Sequence, residues 1–377
     1  MSRTHQKATQ LLSAMILAWL ASHTLAADSI KIGIAGPKTG PVAQYGDMQF
    51  SGARMAIEQI NARGGVDGKQ LVAVEYDDAC DPKQAVAVAN KVVNDGVKFV
   101  VGHLCSSSTQ PASDIYEDER IVMITPAATS PELTARGYTM IFRTIGLDNA
   151  QGPAAARYIV GLKPRNVAVL HDKQQYGEGI ATSVKEILSK EGIPVAMFEG
   201  INAGERDYAS ILSRLKQANV DFVYFGGYHP EMGLLLRQAK EKGLTARFMG
   251  PEGVGNDSIS QIAKDASEGM LVTLPMSFDQ VPANQALVAA FAAKQENPSG
   301  PFVLPTYSAV EVIAGGIAAA KSEDPEKVAE AIHAGTFKTP TGDLSFDEKG
   351  DLKDFKFVVY EWHYGQPKTP AQDSASR

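Results

Sequence analysis

The sequence predicts an α/β protein with two doubly wound parallel sheets, and three observations lead to this fold class. Short runs rich in β-branched residues alternate with longer segments of helical periodicity along most of the chain. Repeated strand–helix–strand units favour parallel strands with helices on both faces. There are too many units for one sheet, and residues 27–377 are long enough for two domains.

The N-terminal segment has the composition of a secretory signal. Arg3 and Lys7 precede an apolar stretch at residues 11–20, and Thr24-Leu25-Ala26 offers small residues where a signal peptidase cleaves. The apolar stretch is too short for a membrane span, which needs about 20 residues. We expect cleavage after Ala26 and an exported, soluble protein.

The first half of the mature chain contains the first strand–helix series. Apolar β-branched runs predict strands at residues 30–35, 71–77, 97–102 and 121–125. Amphipathic segments predict helices at 45–61 and 82–95, with a third starting near Ser107. The segment FRTIGLD (142–148) breaks the series, because a new helix follows it near Gln151.

A second series follows and runs to about residue 274. Its predicted strands are 166–171, 194–200, 221–227 and 247–250, and its helices are 177–191, 208–217 and 231–242. Beyond it, helices are predicted at 283–295 and 307–321, and strands at 343–347 and 354–363. The final segment, GQPKTPAQDSASR, is predicted to be a frayed tail.

The chain has only two cysteines, Cys80 and Cys105. In an oxidising compartment such a pair favours a disulfide, which would close a loop and stabilise the fold by roughly 3 to 4 kcal/mol. The alternative is a catalytic Cys105 assisted by His103, since residues two apart on a strand share a face.

Two strand–helix junctions carry hydroxyl side chains. The segment GHLCSSST (102–109) places Ser106 near a helix N-cap, and TPAATSPEL (125–133) presents Thr129 in the same way. A single junction of this kind is often an ordinary capping serine. Two adjacent junctions, with free amides at helix N-termini, suit a bound carboxylate.

Several other functions lack their sequence patterns. GIAGPKTG (33–40) does not have phosphate-loop spacing, and no G-x-G-x-x-G follows a strand. Zinc-hydrolase, serine-hydrolase and C-x-x-C motifs are absent, and the seven histidines are scattered. His171, His229 and His363 are interpreted as strand-end residues. A net charge of −7 without basic blocks argues against nucleic-acid binding.

A carboxylate and four aromatic residues lie next to predicted turns. Glu252 sits between glycines in GPEGVG (250–255), where it is either a solvated loop charge or the partner of a ligand ammonium. The aromatic residues are flanked by loop-forming residues, which places them to line a cleft. They are Tyr45, Tyr176, Tyr228 and Phe302.

Longer strings from the mature chain closely resemble the periplasmic leucine/isoleucine/valine-binding proteins, the soluble receptors of branched-chain amino acid ABC importers. The strings are GPVAQYGD (40–47), YDDACDPKQAVAVANKVVNDG (76–96), GHLCSSSTQPASDIYEDE (102–119), ITPAAT (124–129), HDKQQYGEG (171–179), GGYHPEMG (226–233) and GPEGV (250–254). The likeness covers nearly the whole mature chain and weakens between about residues 280 and 345.

The resemblance implies a type I periplasmic-binding fold, with two lobes joined by three crossovers and the ligand between them. Lobe 1 would comprise residues 27–147 and 276–354, and lobe 2 residues 148–275 and 355–377. It also implies a Cys80–Cys105 disulfide. It further implies that Ser106 and Thr129 hold the ligand carboxylate, that Ala127 offers a carbonyl and that Glu252 pairs with the ammonium. The side chain would be enclosed by Tyr45, Leu104, Tyr176, Tyr228 and Phe302.

The predicted function is therefore that of a periplasmic receptor, not an enzyme, with no cofactor or metal. Its partners would be a branched-chain amino acid and a membrane ABC permease, with no nucleic acid, and the protein would be a monomer. Two alternatives stay open at this point: a different ligand, such as a polar amino acid or a short amide, and an exported enzyme that uses Cys105 or Ser106.

Overall fold

Two separate sheets form the framework in the computed structural model, which describes residues 29–371. The predicted signal and its cleavage site lie outside the described residues. The first sheet has the strand order β2-β1-β3-β4-β5, and every pairing in it is parallel. Its strands are β1 (Ile30–Gly36), β2 (Leu71–Asp77), β3 (Phe99–Gly102), β4 (Val122–Thr125) and β5 (Ile141–Arg143).

The second sheet is mixed, with the order β14-β13-β10-β9-β8-β6-β7. Its parallel part comprises β6 (Val167–His171), β7 (Val195–Gly200), β8 (Phe222–Gly226), β9 (Arg247–Gly250) and β10 (Leu271–Pro275). The strands β13 (Phe357–His363) and β14 (Gln366–Pro370) add an antiparallel hairpin at one edge. A small separate hairpin consists of β11 (Phe337–Thr339) and β12 (Gly342–Leu344).

Eleven helices among the described residues connect and cover these strands. They are α1 (Ala43–Ala62), α2 (Pro82–Asn94), α3 (Ser106–Asp118), α4 (Asp148–Leu162), α5 (Gln175–Lys190), α6 (Ala209–Gln217), α7 (His229–Glu241), α8 (Ser258–Ala263), α9 (Gln285–Ala293), α10 (Val303–Ala320) and α11 (Pro325–Ala334). The apolar faces of helices and strands form one core around the first sheet and one on each face of the second.

The chain passes between the two sheets three times. The passages are residues 144–147, 276–284 and 345–356, so the two sheets form two lobes joined by three crossovers. Lobe 1 denotes the first sheet with its helices, and lobe 2 the second. The exact lobe boundaries stay a prediction.

The helix α10 is long and apolar enough to cross a membrane by length and composition. Most of it is buried in the lobe 1 core, where Val310 and Ile313 are inaccessible to solvent. It packs so closely on α1 that a Cβ atom at Gly52 would collide with the Val303 carbonyl. We therefore interpret α10 as a core helix.

Several predicted elements differ from the structure. The segment 366–370 is an edge strand rather than a frayed tail, because its backbone pairs with β13 at the edge of the sheet, where proline is tolerated. The predicted strand 343–347 is replaced by the short hairpin of β11 and β12, and α11 was not predicted. The helix predicted at 307–321 begins at Val303, with Pro305 in its first turn, where proline is tolerated.

Candidate functional site

The first hydroxyl-bearing junction lies at the carboxyl end of β3, facing lobe 2. Ser106 is the first residue of α3, and Cys105 is its N-cap with an extended backbone and no side-chain cap. The prediction that Ser106 is the N-cap is therefore wrong by one residue. Its side chain is buried, with Oγ 3.4 Å from the Ser130 backbone nitrogen. That bond links the first junction to the second.

A disulfide and a buried hydrogen-bond chain fix the first junction. Cys80 and Cys105 are bonded, with their Cα atoms 5.6 Å apart, so Cys105 has no free thiol. Beside the disulfide, His103 Nδ1 lies 2.5 Å from Asp78 Oδ2, and His103 Nε2 lies 3.0 Å from the Tyr116 hydroxyl. These three side chains are fully buried.

The second junction, at the carboxyl end of β4, is organised by Thr125. Its hydroxyl donates to the His103 carbonyl at 2.7 Å and accepts from the Ala128 backbone nitrogen at 3.0 Å. Ala127 and Thr129 follow, both buried. Thr129 Oγ1 lies 3.5 Å from Glu252 Oε1, so it meets lobe 2 across the cleft.

Lobe 2 contributes a buried carboxylate to the same place. Glu252 starts a short 3₁₀ turn after β9 and is only 2% exposed. Its Oε2 accepts a hydrogen bond from Gln151 Nε2, which also donates to Thr273 Oγ1 at 2.9 Å. Desolvation raises the pKa of Glu252 to about 7, and the hydrogen bond from Gln151 opposes this. The interpretation of Glu252 as a solvated loop charge is wrong.

A second carboxylate, Asp148, lies near Glu252. Burial and the charge of Glu252 raise the pKa of Asp148 well above its ordinary value. Within residues 29–371, three buried polar atoms around this pair have no hydrogen-bond partner: Asp148 Oδ1, Gln151 Oε1 and the Tyr224 hydroxyl. Buried polar groups are nearly always hydrogen-bonded, so these atoms mark a place that is incomplete without a further polar group.

The predicted aromatic residues meet in one apolar cluster between the lobes. The cluster, called here the cleft cluster, consists of Val42, Tyr45, Leu104, Cys105, Ala127, Ile145, Tyr176, Ile180, Tyr228 and Phe302. The ring centroids of Tyr45 and Phe302 are 5.1 Å apart, and those of Tyr176 and Tyr228 are 5.3 Å apart. Six of the nine predicted ligand-binding residues belong to this cluster, and the other three, Ser106, Thr129 and Glu252, lie at its polar side.

The four aromatic residues, predicted to be flanked by loop-forming residues, lie at helix N-termini that point toward the cleft. Tyr45 and Tyr176 lie in the first turns of α1 and α5, and Tyr228 and Phe302 are the N-caps of α7 and α10. The glycines and prolines around them end the strands and start the helices. Tyr228 and Phe302 therefore lie in a loop and a turn directly before their helices, whereas Tyr45 and Tyr176 are helical.

Two tyrosine hydroxyls contact the turn at Glu252, and that of Tyr45 joins the two lobes. Tyr45 donates to the carbonyl oxygens of Gly253 at 2.9 Å and Glu252 at 3.2 Å, although Tyr45 belongs to lobe 1. From lobe 2, the Tyr176 hydroxyl accepts from the Gly253 backbone nitrogen at 3.1 Å. The lobes are therefore in contact, and the cleft residues are enclosed between them.

Sequence reasoning missed several residues of the site. Asp148 and Gln151 were seen only as a domain break and a helix start, and Tyr224 only as part of a strand. His229 was interpreted as a strand-end residue, which is wrong: it begins α7, and its ring lies 5.2 Å edge-on from that of Tyr45. The periodicity used to predict strands and helices carries no information about such contacts, because they join residues that are far apart in the sequence.

Within residues 29–371, no group of three or more histidine, cysteine or acidic side chains is arranged to hold a metal ion. The cleft instead combines hydroxyls, two carboxylates and an apolar wall. Its chemistry suits a small ligand with a polar end, a cationic group and an apolar side chain.

Comparison with known proteins identifies close relatives. A family model described as "Periplasmic binding protein" matches residues 29–366. The chain is 68% identical to the "Leucine-, isoleucine-, valine-, threonine-, and alanine-binding protein" of Pseudomonas aeruginosa, over 98% of this chain and 99% of that protein. It is 57% identical to the "Leu/Ile/Val-binding protein" of Escherichia coli, over 93% and 95% of the two chains.

Solved structures have the same architecture. A leucine binding protein from Thermotoga maritima superposes with a TM-score of 0.84 at 26% identity, over 91% of this chain and 97% of that one. A branched-chain amino acid transporter substrate binding protein from Streptococcus pneumoniae, in complex with isoleucine, also has a TM-score of 0.84, at 25% identity over 91% and 99%. The predicted fold class is confirmed, with the antiparallel edge hairpin as an addition.

Proposed function

This chain belongs to the periplasmic binding protein family, and from that premise we propose that it captures leucine, isoleucine or valine and delivers it to an ABC import permease. The names of the Pseudomonas and Escherichia relatives both include these three amino acids. The observation that carries the proposal is the buried carboxylate Glu252 beside the cleft cluster.

The ammonium group of the ligand would bind at Glu252. A buried carboxylate whose pKa is raised by desolvation gains an opposite charge when a cation enters, which repays part of its burial cost. Asp148 Oδ1 and Gln151 Oε1 offer further acceptors that lack partners within residues 29–371. An ammonium group carries three N–H donors, so several acceptors in one place suit it better than a single carboxylate.

The carboxylate group of the ligand would bind at Ser106 and Thr129, with amides of the two junctions. The N-terminus of α3 carries a partial positive charge that favours an anion, and α3 is long enough to develop it. The Ala127 carbonyl would accept from the ammonium side of the ligand. Ser106 and Glu252 lie on opposite lobes, so a zwitterion would link the two lobes through its two charges.

The side chain of the ligand would occupy the apolar part of the site. The buried residues there are Tyr45, Leu104, Tyr176, Tyr228 and Phe302, and the four aromatic rings among them pack in two pairs. Each methylene removed from the ligand should cost about 0.8 kcal/mol. Alanine should therefore bind more weakly than leucine by about 2.4 kcal/mol, or roughly 60-fold. Glutamate should scarcely bind, because its second carboxylate would be buried without a partner.

The remaining parts of the proposal concern location and partners. The mature protein would begin after Ala26, act in the periplasm as a monomer and bind no nucleic acid or cofactor. The net charge of −7 without basic blocks supports the absence of nucleic-acid binding. Because Cys105 is in a disulfide, it has no thiol to act as a catalytic nucleophile.

Titration calorimetry with the mature protein tests the proposal. Leucine, isoleucine and valine should bind, whereas 4-methylpentanoate, which is leucine without its amino group, and 3-methylbutylamine, which lacks the carboxylate, should bind far more weakly. Glutamate serves as the polar control. Binding of glutamate in preference to the three branched amino acids, or no binding of those three, would overturn the proposed ligand class.

A further inference from the structure

The buried chain of Asp78, His103 and Tyr116 lies behind the ligand site and is not explained by ligand contact. A carboxylate only accepts hydrogen bonds, so Asp78 requires a proton on Nδ1 of His103. In the neutral ring, Nε2 then accepts from the Tyr116 hydroxyl. Each of the three side chains is fully buried, so each depends on the others for its partners.

The hydrogen bonds of Asp78 and His103 join the same two segments as the disulfide. Asp78 Oδ1 accepts from the Cys80 backbone nitrogen at 2.9 Å, while its Oδ2 holds His103, two residues before Cys105. The segment after β2 is therefore tied to the segment after β3 twice, once by the S–S bond and once by Asp78. Tyr116 adds a third attachment, because it lies on α3, the helix that begins at Ser106.

His103 also connects the two hydroxyl-bearing junctions. Its carbonyl accepts from Thr125, whose hydroxyl in turn accepts from the Ala128 backbone nitrogen. The hydrogen-bonded residues thus directly precede the predicted ligand-binding residues of each junction. Leu104 and Ser106 follow His103, and Ala127 and Thr129 follow Thr125. A displacement of His103 would move residues of both junctions together.

We propose that His103 is a positioning residue for the ligand site: held by Asp78 and Tyr116, it keeps both hydroxyl-bearing junctions in the binding geometry without help from the Cys80–Cys105 bond. The inference rests on the proposed amino-acid binding. It follows that leucine affinity withstands reduction of the disulfide while the hydrogen-bond chain is intact. When these hydrogen bonds are removed, leucine affinity becomes dependent on the disulfide.

The test measures leucine affinity by calorimetry for the mature protein, oxidised and reduced, in three variants and the parent. Asp78→Leu removes both acceptor oxygens at similar volume. Asp78→Asn keeps one acceptor for Cys80 and offers an N–H to a His103 ring in its other tautomer, so it should rescue the geometry. Asn61→Leu is the control, because Asn61 bridges α1 to Leu71 at the far end of the lobe 1 sheet.

We expect reduction to change the parent Kd by less than about threefold, and the same for Asp78→Asn and Asn61→Leu. Asp78→Leu should weaken leucine binding about tenfold when oxidised, the cost of one lost hydrogen bond of about 1.4 kcal/mol, and about a hundredfold when reduced, because neither attachment then holds the two junctions. Thermal midpoints should fall for both leucine substitutions, which separates positioning from general loss of stability.

Equal effects of reduction on the parent and on Asp78→Leu would overturn the inference, as would a loss of affinity in Asn61→Leu as large as in Asp78→Leu. If Asp78→Leu does not fold, Tyr116→Phe removes only one hydroxyl and should still make affinity more sensitive to reduction than in the parent; equal sensitivity would count against us. Failure of the oxidised parent to bind leucine would instead refute the proposed function.

Discussion

The two lobes meet at the cleft with opposite kinds of surface. Lobe 1 brings hydroxyls on two junctions that the disulfide and the hydrogen bonds of His103 hold in place. Lobe 2 brings carboxylates with raised pKa values. Its buried atoms without a partner, within residues 29–371, include Asp148 Oδ1, Gln151 Oε1, the Tyr224 hydroxyl and His229 Nδ1.

This difference indicates that the two lobes have different roles in ligand binding. Lobe 1 is preorganised, so a ligand that binds there first meets a surface that needs little rearrangement. Lobe 2 is incomplete without a cation, so its closure onto lobe 1 gains most when an ammonium group is present. Closure of two lobes around a ligand is a hinge motion, and a ligand can drive it only through a difference in affinity between the open and closed states.

The largest expected effect is on the lobe 2 side. Glu252→Gln keeps the shape of the side chain but removes the charge that we propose pairs with the ligand ammonium. Removing one partner of a buried ion pair typically costs about 3 to 5 kcal/mol. Leucine affinity should therefore decrease by a factor between about a few hundred and several thousand. Calorimetry measures the loss, and circular dichroism checks the fold.

The control for that variant is Glu361→Gln, which neutralises a carboxylate of lobe 2 that pairs with Arg247 away from the cleft. Its leucine affinity should equal that of the parent. If Glu252→Gln binds leucine as tightly as the parent, the ammonium site lies elsewhere and the contrast between the lobes loses its main support.

A smaller effect is expected on the lobe 1 side. Ser106→Ala should weaken leucine binding by about 1.5 to 3 kcal/mol, the usual value of a hydrogen bond to a charged group. Ser113→Ala, further along α3, also removes a buried hydroxyl but should leave affinity unchanged. Unaltered affinity in Ser106→Ala would reduce Ser106 to a helix-start residue without a role in binding.

The pH dependence of affinity separates the lobes again, because the titrating groups are in lobe 2. An ammonium partner favours the ionised form of Glu252, so its pKa falls from about 7 when leucine binds. Affinity is then about half of its full value at pH 7, approaches the full value above about pH 8 and falls about fivefold between pH 7 and pH 6.

His229 acts in the same direction at lower pH. Desolvation lowers its pKa to about 4 in the closed protein, so protonation below its ordinary value of 6.5 opposes closure. Calorimetry from pH 8 to pH 5 on the parent and on Glu252→Gln distinguishes the two groups, since the variant should retain only the decline below pH 6.5. A flat profile in the parent would contradict the assignment of Glu252.

The smallest effect concerns the contact between the lobes at the cleft rim. Gln175 of lobe 2 donates through its amide to Gln110 of lobe 1, and its Nε2 lies 3.4 Å from Ser130 Oγ and Glu132 Oε2. Gln175→Ala should raise the dissociation rate of leucine about threefold and leave the association rate unchanged, because these bonds form only on closure. Stopped-flow fluorescence measures both rates, and an equal change in both would contradict a role in closure.

The fold could be predicted largely because its strands are buried. Residues 99–101 and 222–225 are all valine, phenylalanine or tyrosine, which marks parallel strands covered on both faces. The edge strand β14 escaped prediction because its sequence, QPKTP, is polar and contains prolines. An edge strand needs pairing on one side only, so its sequence carries little of the usual signal.

The site could be predicted in part, and the limit has a physical cause. Ser106 and Thr129 follow strands directly, so the sequence places them at the same sheet edge as the cleft. Asp148 and Gln151 approach Glu252 because α4 packs on the lobe 2 sheet, where Gln151 bonds both Glu252 and Thr273 of β10. Contacts of that kind depend on tertiary packing between residues far apart in the sequence, and no local pattern specifies them.

The helix α10 has a consequence for the order in which the protein can fold. It belongs to the core of lobe 1, yet the entire parallel part of the lobe 2 sheet precedes it in the chain. A chain emerging from the ribosome therefore cannot complete its first hydrophobic core until Val303–Ala320 has been made. We expect this late closing segment to delay tertiary folding during synthesis, which would favour the proposed export, because an export channel threads an unfolded chain.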